Sequence, residues 1–122
     1  MKCLGIESTA HTFSCAVLER KGKRGEILSD VRKIYGPPDG EGIHPREASR
    51  HHVENSTIAL VEALQKANVS VTDLDIISYA AGPGLGPCLR VGAVVSRALA
   101  SYYEIPIFPV IMLLVILNWG KC

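Results

Sequence analysis

Residues 80–92 read Ala80-Ala81-Gly82-Pro83-Gly84-Leu85-Gly86-Pro87-Cys88-Leu89-Arg90-Val91-Gly92, and this stretch indicates the fold. An apolar run precedes it, and a long apolar segment without proline follows it as far as Pro106. Pro87 suits the first turn of a helix, because the amide hydrogen that it lacks would have no partner there in any case. The glycines before it carry no side chain, so another backbone or a ligand can approach closely. The stretch therefore predicts either a tight strand-to-helix connection or a loop that receives a ligand.

The size and charge of the chain limit the possible classes of protein. Its 122 residues are enough for one domain with a core, and 13 basic residues nearly balance 12 acidic ones. No global field therefore favours nucleic acid or an anionic membrane as a partner. The four cysteines are scattered without zinc-like spacing, which predicts free thiols, buried at Cys3 and Cys15, in a reducing, cytoplasmic compartment.

Two further observations concern targeting. The first residues enter an apolar, strand-like run at once, so we expect no signal peptide. The apolar run at residues 105–117 is 13 residues long, which is too short for a helix that spans a membrane.

Hydrophobic periodicity predicts five strands and two helices. Short apolar runs predict strands at residues 3–7, 13–19 and 26–34, with a basic, glycine-rich turn at residues 21–25. Helical spacing covers residues 45–67 and 87–103, and further strands are expected at residues 75–80 and 105–110. The order β-β-β-α-β-α-β predicts an α/β layer fold in which an antiparallel meander precedes parallel strands.

Each predicted helix has one face that we expect to be buried. On the second helix this face consists of small residues that permit close packing, namely Gly92, Ser96 and Ala100. On the first helix it is an apolar stripe made of Val53, Thr57, Leu60, Val61 and Leu64.

Two clusters of polar residues are candidates for chemistry. The turn Glu7-Ser8-Thr9-Ala10-His11-Thr12 gathers hydroxyls and a carboxylate, which either bind phosphate or stabilise the turn itself. Residues 42–52 gather three histidines and two arginines around a helix start, which predicts a contact with phosphate, RNA or a protein partner, or a solvated helix end. We expect the adjacent His51 and His52 to point to different faces of the helix, a poor arrangement for a metal.

Three motifs in the same order resemble one family. They are Leu4-Gly5-Ile6-Glu7-Ser8-Thr9-Ala10-His11-Thr12, Ile43-His44-Pro45-Arg46-Glu47-Ala48 with His51-His52, and Gly82-Pro83-Gly84-Leu85-Gly86-Pro87 with Leu89-Arg90-Val91-Gly92-Ala93. They resemble the archaeal and eukaryotic Kae/Qri/TsaD family, the tRNA threonylcarbamoyladenosine synthases that were formerly named glycoproteases. The resemblance runs from residue 1 to about residue 110. It implies an actin-like fold of the Hsp70/sugar-kinase and ribonuclease H-like type, with this chain as the N-terminal lobe.

The resemblance also implies an activity and its partners. Family members transfer a threonylcarbamoyl group from its adenylate to the N6 amine of the adenosine next to the anticodon. They use a divalent metal (iron, zinc or magnesium), held by a His-x-x-x-His pair, and an adenylate or ATP. They work with the small subunits of the KEOPS complex, and a helper subunit is expected to dock on the two helices of this lobe.

From the motifs and the resemblance together we predict two groups of site residues. Those that bind the phosphate of a cofactor are Glu7, Ser8, Thr9 and Thr12. Those that contact the substrate or tRNA are His44, Arg46, Arg50, Gly84, Gly86 and Arg90.

The sequence departs from the family pattern after Val110. Where the family continues Asn-His-x-x-x-His, this chain reads Ile111-Met112-Leu113-Leu114-Val115-Ile116-Leu117-Asn118-Trp119-Gly120. The family's second lobe, which supplies most nucleotide contacts and further metal ligands, has no counterpart in the sequence. We therefore divide the chain into an actin-like lobe at residues 1–110 and an aberrant apolar tail at residues 111–122. We expect no metal ligand, no catalytic residue, no bound cofactor and no activity in the chain alone.

The genetic code offers an explanation for the tail. One nucleotide inserted after the codon of Val110 lets the following codons encode the family's metal motif, so we interpret residues 111–122 as the product of a frameshift. The alternative is a natural short paralogue whose apolar tail packs as a strand. Apolar residues of the tail also predict self-association, through the tail or through the two helices.

Two other functions stay open at this point. One is a lobe without catalysis that docks a helper subunit or dimerises. The other is an actin-like relative that binds a nucleotide at the turn of residues 7–12.

Overall fold

A computed structural model describes residues 1–37, 39–40, 42 and 44–111. The elements are β1 (Lys2–Glu7), β2 (Thr12–Lys21), β3 (Arg24–Ile34), α1 (Pro45–Ala67), β4 (Ile76–Gly82), α2 (Gly86–Tyr103) and β5 (Ile107–Ile111). A short 3-10 helix, Val71–Asp73, precedes β4. The predicted order of elements is confirmed. The predicted tail lies outside the described residues except for Ile111, which ends β5.

The strands form one mixed sheet. Its order is β3-β2-β1-β4-β5. The pairs β1–β2 and β2–β3 are antiparallel, whereas β1–β4 and β4–β5 are parallel. Because parallel strands end at the same edge of a sheet, the carboxyl ends of β1, β4 and β5 lie together.

Both helices pack against one face of this sheet. Helix α1 contacts β2 and β3, α2 contacts β4, β1 and β5, and the two helices contact each other. The core lies between the sheet and the helices, and its largest fully buried side chains include Phe13, Leu4 and Ile77. Neither helix of the described residues is long and apolar enough to cross a membrane.

The cysteines differ in their burial. Cys15 points into the core, and burial raises the pKa of its thiol to about 12, which agrees with the predicted free, buried thiol. Cys3 is only partly buried, because it alternates with Leu4 and so faces the side of the sheet without helices. There its Sγ lies 3.7 Å from the hydroxyl of Ser78.

The buried face of α1 is not the predicted apolar stripe. Val53 and Val61 of that stripe are 60% and 45% exposed, while Leu60 and Leu64 pack at the margin of the core. The buried residues of α1 are Ala48, His52, Ser56, Ala59 and Ala63. Small side chains occupy the buried face because they let the backbone of α1 approach the sheet closely. The hydroxyl of Ser29 on β3 accordingly donates a hydrogen bond of 2.7 Å to the backbone carbonyl of Ala63.

The ends of both helices follow the sequence closely. Asn68 has a left-handed conformation (φ 54°) and ends α1, as its place in the sequence indicated. Pro87 is the second residue of α2 rather than the first, because α2 begins at Gly86. The predicted small face of α2 is confirmed, since Gly92, Ser96 and Ala100 are all buried.

Candidate functional site

The β1–β2 turn, residues 8–11, is the point where three other segments meet. The amide of Leu85 donates a hydrogen bond to the carbonyl of Thr9 at 2.8 Å. Nε2 of His52 donates to the carbonyl of Ala10 at 2.7 Å, and the hydroxyl of Ser8 donates to the carbonyl of Cys88 at 2.8 Å. The turn at the carboxyl end of β1 therefore holds the 82–86 loop, α1 and α2 in one place.

Ser8 attaches α2 to the turn by an unusual contact. Its hydroxyl donates to the carbonyl of Cys88 and accepts from the amide of Gly92 at 3.1 Å. These two groups are four residues apart, so the hydroxyl lies between the partners of one backbone hydrogen bond of the helix. A Cβ at Gly92 would lie 2.5 Å from Oγ of Ser8, which explains the glycine. Ser8 is 1% exposed, and its hydroxyl hydrogen is donated to the carbonyl of Cys88. Neither contact tests whether Ser8 also binds phosphate, so that role stays a prediction.

The 82–86 loop requires a residue without a side chain at position 84. A Cβ at Gly84 would lie 2.4 Å from the carbonyl oxygen of Thr9. A Cβ at Gly86 would meet no atom within 4 Å, so packing does not require a glycine there. The sequence left open a tight strand-to-helix connection or a loop that receives a ligand. Close packing of the loop backbone against the backbone of Thr9 accounts for Gly84 without a ligand.

The start of α2 presents unused backbone donors next to the turn. Within the part of the chain that the structure describes, the amides of Gly86 and Cys88 have no acceptor, and Leu85 provides no side-chain cap. The first turn of a helix carries a partial positive charge and attracts anions. The first turn of α1 lies beside it, since Sγ of Cys88 is 4.0 Å from the carbonyl of Pro45. This corner of the lobe is therefore suited to an anionic group.

Glu7 brings a negative charge to the other side of the same turn. One carboxylate oxygen accepts from the amide of Thr9 at 2.9 Å and from the Thr9 hydroxyl, and the other lies 3.5 Å from the hydroxyl of Ser14. Glu7 also lines a cavity of about 250 Å³ on the side of the sheet without helices, together with Ser78 and Val110. A phosphate at the turn would be repelled by this carboxylate unless a cation accompanied it.

The rings of His51 and His52 contact each other, although His52 packs on Phe13 in the core and His51 packs on Tyr35. Their Nδ1 atoms are 3.2 Å apart, which requires one to donate and the other to accept. His52 is fully buried against Phe13, and this burial lowers the pKa of its imidazole. The described residues contain no group of three or more side chains suited to a metal ion.

The other predicted site residues lie around this corner or away from it. Thr12 begins β2 opposite Ile34. His44 precedes α1, where its carbonyl accepts from the amide of Ala48 at 2.9 Å, and Arg46 is exposed in the first turn. Two further arginines are also exposed: Arg50 lies 3.5 Å from Glu54, and Arg90 lines the groove between α1 and α2.

Sequence reasoning missed the parts played by two residues. The sequence suggests His52 for a surface contact with phosphate or a partner, and Ser8 for phosphate binding. Their partners lie 42 and 80 residues away along the chain, so no local pattern could have revealed these contacts.

The sheet order and the helix layer define an α/β lobe of the actin-like, ribonuclease H-like fold. YeaZ from Pseudomonas aeruginosa superposes with a TM-score of 0.69 at 18% identity, covering 91% of this chain and 45% of that chain. Thermus thermophilus RuvC superposes with a TM-score of 0.53 at 13% identity, covering 89% of this chain and 60% of that chain. At these identities the likeness shows the fold alone, and it confirms the predicted fold class.

The sequence places the chain within that class. The TsaD family, tRNA N6-adenosine threonylcarbamoyltransferase, matches residues 26–121. The chain is 52% identical over 110 residues to the protein of that name from Pyrobaculum islandicum, and 51% identical to the one from Ignicoccus hospitalis. Each match covers 90% of this chain and 32% of the relative. The chain belongs to the TsaD family and spans about a third of the length of these relatives.

Proposed function

We propose that this chain forms the N-terminal lobe of an enzyme that transfers a threonylcarbamoyl group to the N6 amine of the adenosine next to the anticodon of a tRNA. Membership of the TsaD family is the observation that carries the proposal. The intact enzyme would act in the cytoplasm with an adenylate or ATP and a divalent metal. A second lobe would face the β1–β2 turn and complete a cleft.

The corner at the β1–β2 turn would supply one wall of that cleft. The unused amides of Gly86 and Cys88, at the positive end of α2, would receive an anionic group of the adenylate. Ser8 and His52 would hold the wall in place, because they attach both helices to the turn. The exposed cations Arg46 and Arg50 of α1 are suited to phosphates of the tRNA.

The residues of this chain do not fit the metal that the family implies. The described residues contain no group of three or more metal-binding side chains, and the sequence after Val110 lacks both histidines of the family motif. We therefore assign no metal-dependent step to this chain. We expect it to be inactive without a second lobe.

A chimera tests the proposal. Residues 1–110 of this chain would replace the corresponding segment of a TsaD relative, and incorporation of labelled threonine into tRNA would be measured. The relative itself is the positive control, and the 122-residue chain is the comparison. We expect transfer by the chimera and none by the chain alone. A folded chimera without transfer would overturn the proposal, and transfer by the chain alone would overturn the expected inactivity.

The groove between α1 and α2 favours a second function, docking of a partner without catalysis. Its volume is about 360 Å³, and its lining includes Val53, Val91 and Val94. Val53 and Val94 are 60% and 58% exposed, which leaves apolar surface for a partner to cover. We propose that a small subunit of the KEOPS type docks here, with a second copy of this chain as the competing occupant.

A charged substitution in the groove tests the docking. Val94→Asp places a carboxylate in an apolar contact and should weaken binding of the small subunit by about tenfold or more. Ile27→Asp is the matched control, because Ile27 is 66% exposed on β3, outside the groove. Calorimetric titration would measure the affinity, and light scattering would report dimers. Equal losses for both variants would exclude the groove as the docking site.

A further inference from the structure

The β2–β3 hairpin ends in a dense cluster of positive charge. Residues 20–24 read Arg20-Lys21-Gly22-Lys23-Arg24, with four cations in five positions and no acidic residue. We call these residues the basic hairpin, and all of them are exposed. The chain has a formal net charge of +1, so this concentration is local rather than a property of the whole surface.

The backbone of the basic hairpin has a defined conformation. Lys21 and Arg24 pair directly across the strands, so Gly22 and Lys23 form a two-residue turn. Gly22 has φ 62°, a left-handed conformation that such turns require and that glycine adopts without strain. Nε of Arg20 donates to the carbonyl of Gly22 at 3.0 Å, which uses one of the five N–H donors of this guanidinium. The cations are therefore presented on an ordered turn.

The charges of the basic hairpin are poorly neutralised. Like charges directly opposite each other destabilise a pair of strands, and Lys21 faces Arg24 in this way. Lys21 has one acidic neighbour, Glu19, at 4.0 Å. Within the described ranges, Lys23 and Arg24 form no ion pair.

Other exposed cations on the same protein do have acidic partners. Arg32 lies 2.9 Å from Asp30, and Lys66 lies 3.3 Å from Glu62. The repulsion within the basic hairpin would be relieved by an anion that bridges its side chains. A polymer with regularly spaced charges could contact several of them at once.

We propose that the basic hairpin binds the phosphate backbone of RNA. The choice of RNA among anionic partners rests on the proposed function. Lysine and arginine contacts to phosphates supply affinity without reading sequence, which suits an exposed cluster of this kind. A cavity of about 220 Å³ at the base of the hairpin, lined by Leu18, Arg20 and Arg24, offers room beside the cations.

The position of the basic hairpin makes it a contact remote from the β1–β2 turn. Strand β2 begins next to that turn and ends at the hairpin, and its 10 residues span about 30 Å. A folded tRNA is long enough to reach both ends of the strand. The hairpin would thus anchor the body of the RNA while the anticodon region approaches the cleft wall.

A salt series with paired variants tests this inference. The full 122-residue chain would be titrated with fluorescent tRNA, and the affinity followed against salt concentration. Lys23→Gln with Arg24→Gln should lower the affinity about tenfold at low salt and reduce the salt slope by about one for each phosphate that the hairpin no longer neutralises. Arg32→Gln with Lys66→Gln removes the same charge elsewhere, and it should change the affinity less than about twofold. Thermal unfolding would establish that all variants are folded.

Three results would overturn the inference. They are equal losses in both double variants, no detectable binding of tRNA to the folded chain, and hairpin-dependent binding to phosphatidylserine vesicles without binding to tRNA. The transfer assay separates this inference from the proposed function. A chimera that transfers but binds tRNA independently of the hairpin would contradict the inference alone, whereas hairpin-dependent binding without transfer would contradict the proposed function alone.

Discussion

His52 shows how one buried side chain connects α1 to the β1–β2 turn. Its Nε2 must carry a hydrogen to donate to the carbonyl of Ala10, so in the neutral ring Nδ1 accepts, and Nδ1 of His51 donates to it. The charged and titratable groups around this pair are the carboxylate of Glu7, the ring of His11, and Glu47, which accepts from the hydroxyl of Tyr35. The sequence shows a histidine at position 52 but could not predict its hydrogen bond to Ala10, because Ala10 is 42 positions away along the chain.

Acid should destabilise the lobe through His52. Burial lowers the pKa of the folded imidazole below its ordinary value near 6.5, so the unfolded chain binds this proton more readily. The free energy of unfolding should therefore be highest above about pH 6.5 and fall as the pH decreases through the lowered pKa. Urea unfolding at several pH values would measure the loss.

The matched variants are His52→Gln and His11→Gln. Glutamine at position 52 keeps an N–H donor for Ala10 but cannot titrate, so the acid-dependent loss should shrink. His11 is exposed, and its replacement should leave most of the loss in place. If the free energy of unfolding falls equally in both variants between about pH 7 and pH 5, His52 is not the titrating group.

At the scale of the elements, the bounds of the helices could be predicted, whereas the buried face of α1 could not. Pro45 and Asn68 mark the ends of α1 by local conformational preference, which a sequence shows directly. The buried face depends on how closely the helix approaches the sheet, and this distance favours Ala59 and Ala63 over Val61. On α2 the small residues Gly92, Ser96 and Ala100 recur at helical spacing in the sequence. The prediction that they form the buried face of α2 is therefore confirmed.

The contact between β1 and α2 should show strong coupling between Ser8 and Gly92. Gly92→Ala alone should cost about 1–3 kcal/mol, since its Cβ would collide with the hydroxyl of Ser8. Ser8→Ala removes that oxygen, and with it the collision. The added Cβ would next meet Cβ of residue 8 at 3.5 Å, an ordinary contact.

The double variant should therefore be no less stable than Ser8→Ala alone. A double-mutant cycle from chemical denaturation would measure the coupling. Additive losses would mean that the hydroxyl of Ser8 does not lie against α2 as described.

At the scale of the whole molecule, the resemblance predicted the fold class and the family, and both are confirmed. Of the predicted site residues, Thr9 and Gly84 lie together, while Arg90 lines the groove between the helices. Their roles in binding stay predictions. The proposed division at residue 110 and the frameshifted tail stay predictions, because residues 112–122 lie outside the described residues and the family match runs on to residue 121. The nucleotide sequence after codon 110 would decide the frameshift.

The central claim is that this lobe supplies one wall of a transferase cleft at the β1–β2 turn. Threonylcarbamoyl transfer by the chimera tests it most directly when two glycine variants are compared. Gly84→Ala forces the loop away from the carbonyl of Thr9, whereas an added Cβ at Gly36, which lies after β3 and outside the site, would meet no atom within 4 Å. We predict a fall in kcat/KM of about tenfold or more for folded Gly84→Ala, with Gly36→Ala close to the parent chimera. Equal activity in the two variants would contradict the claim.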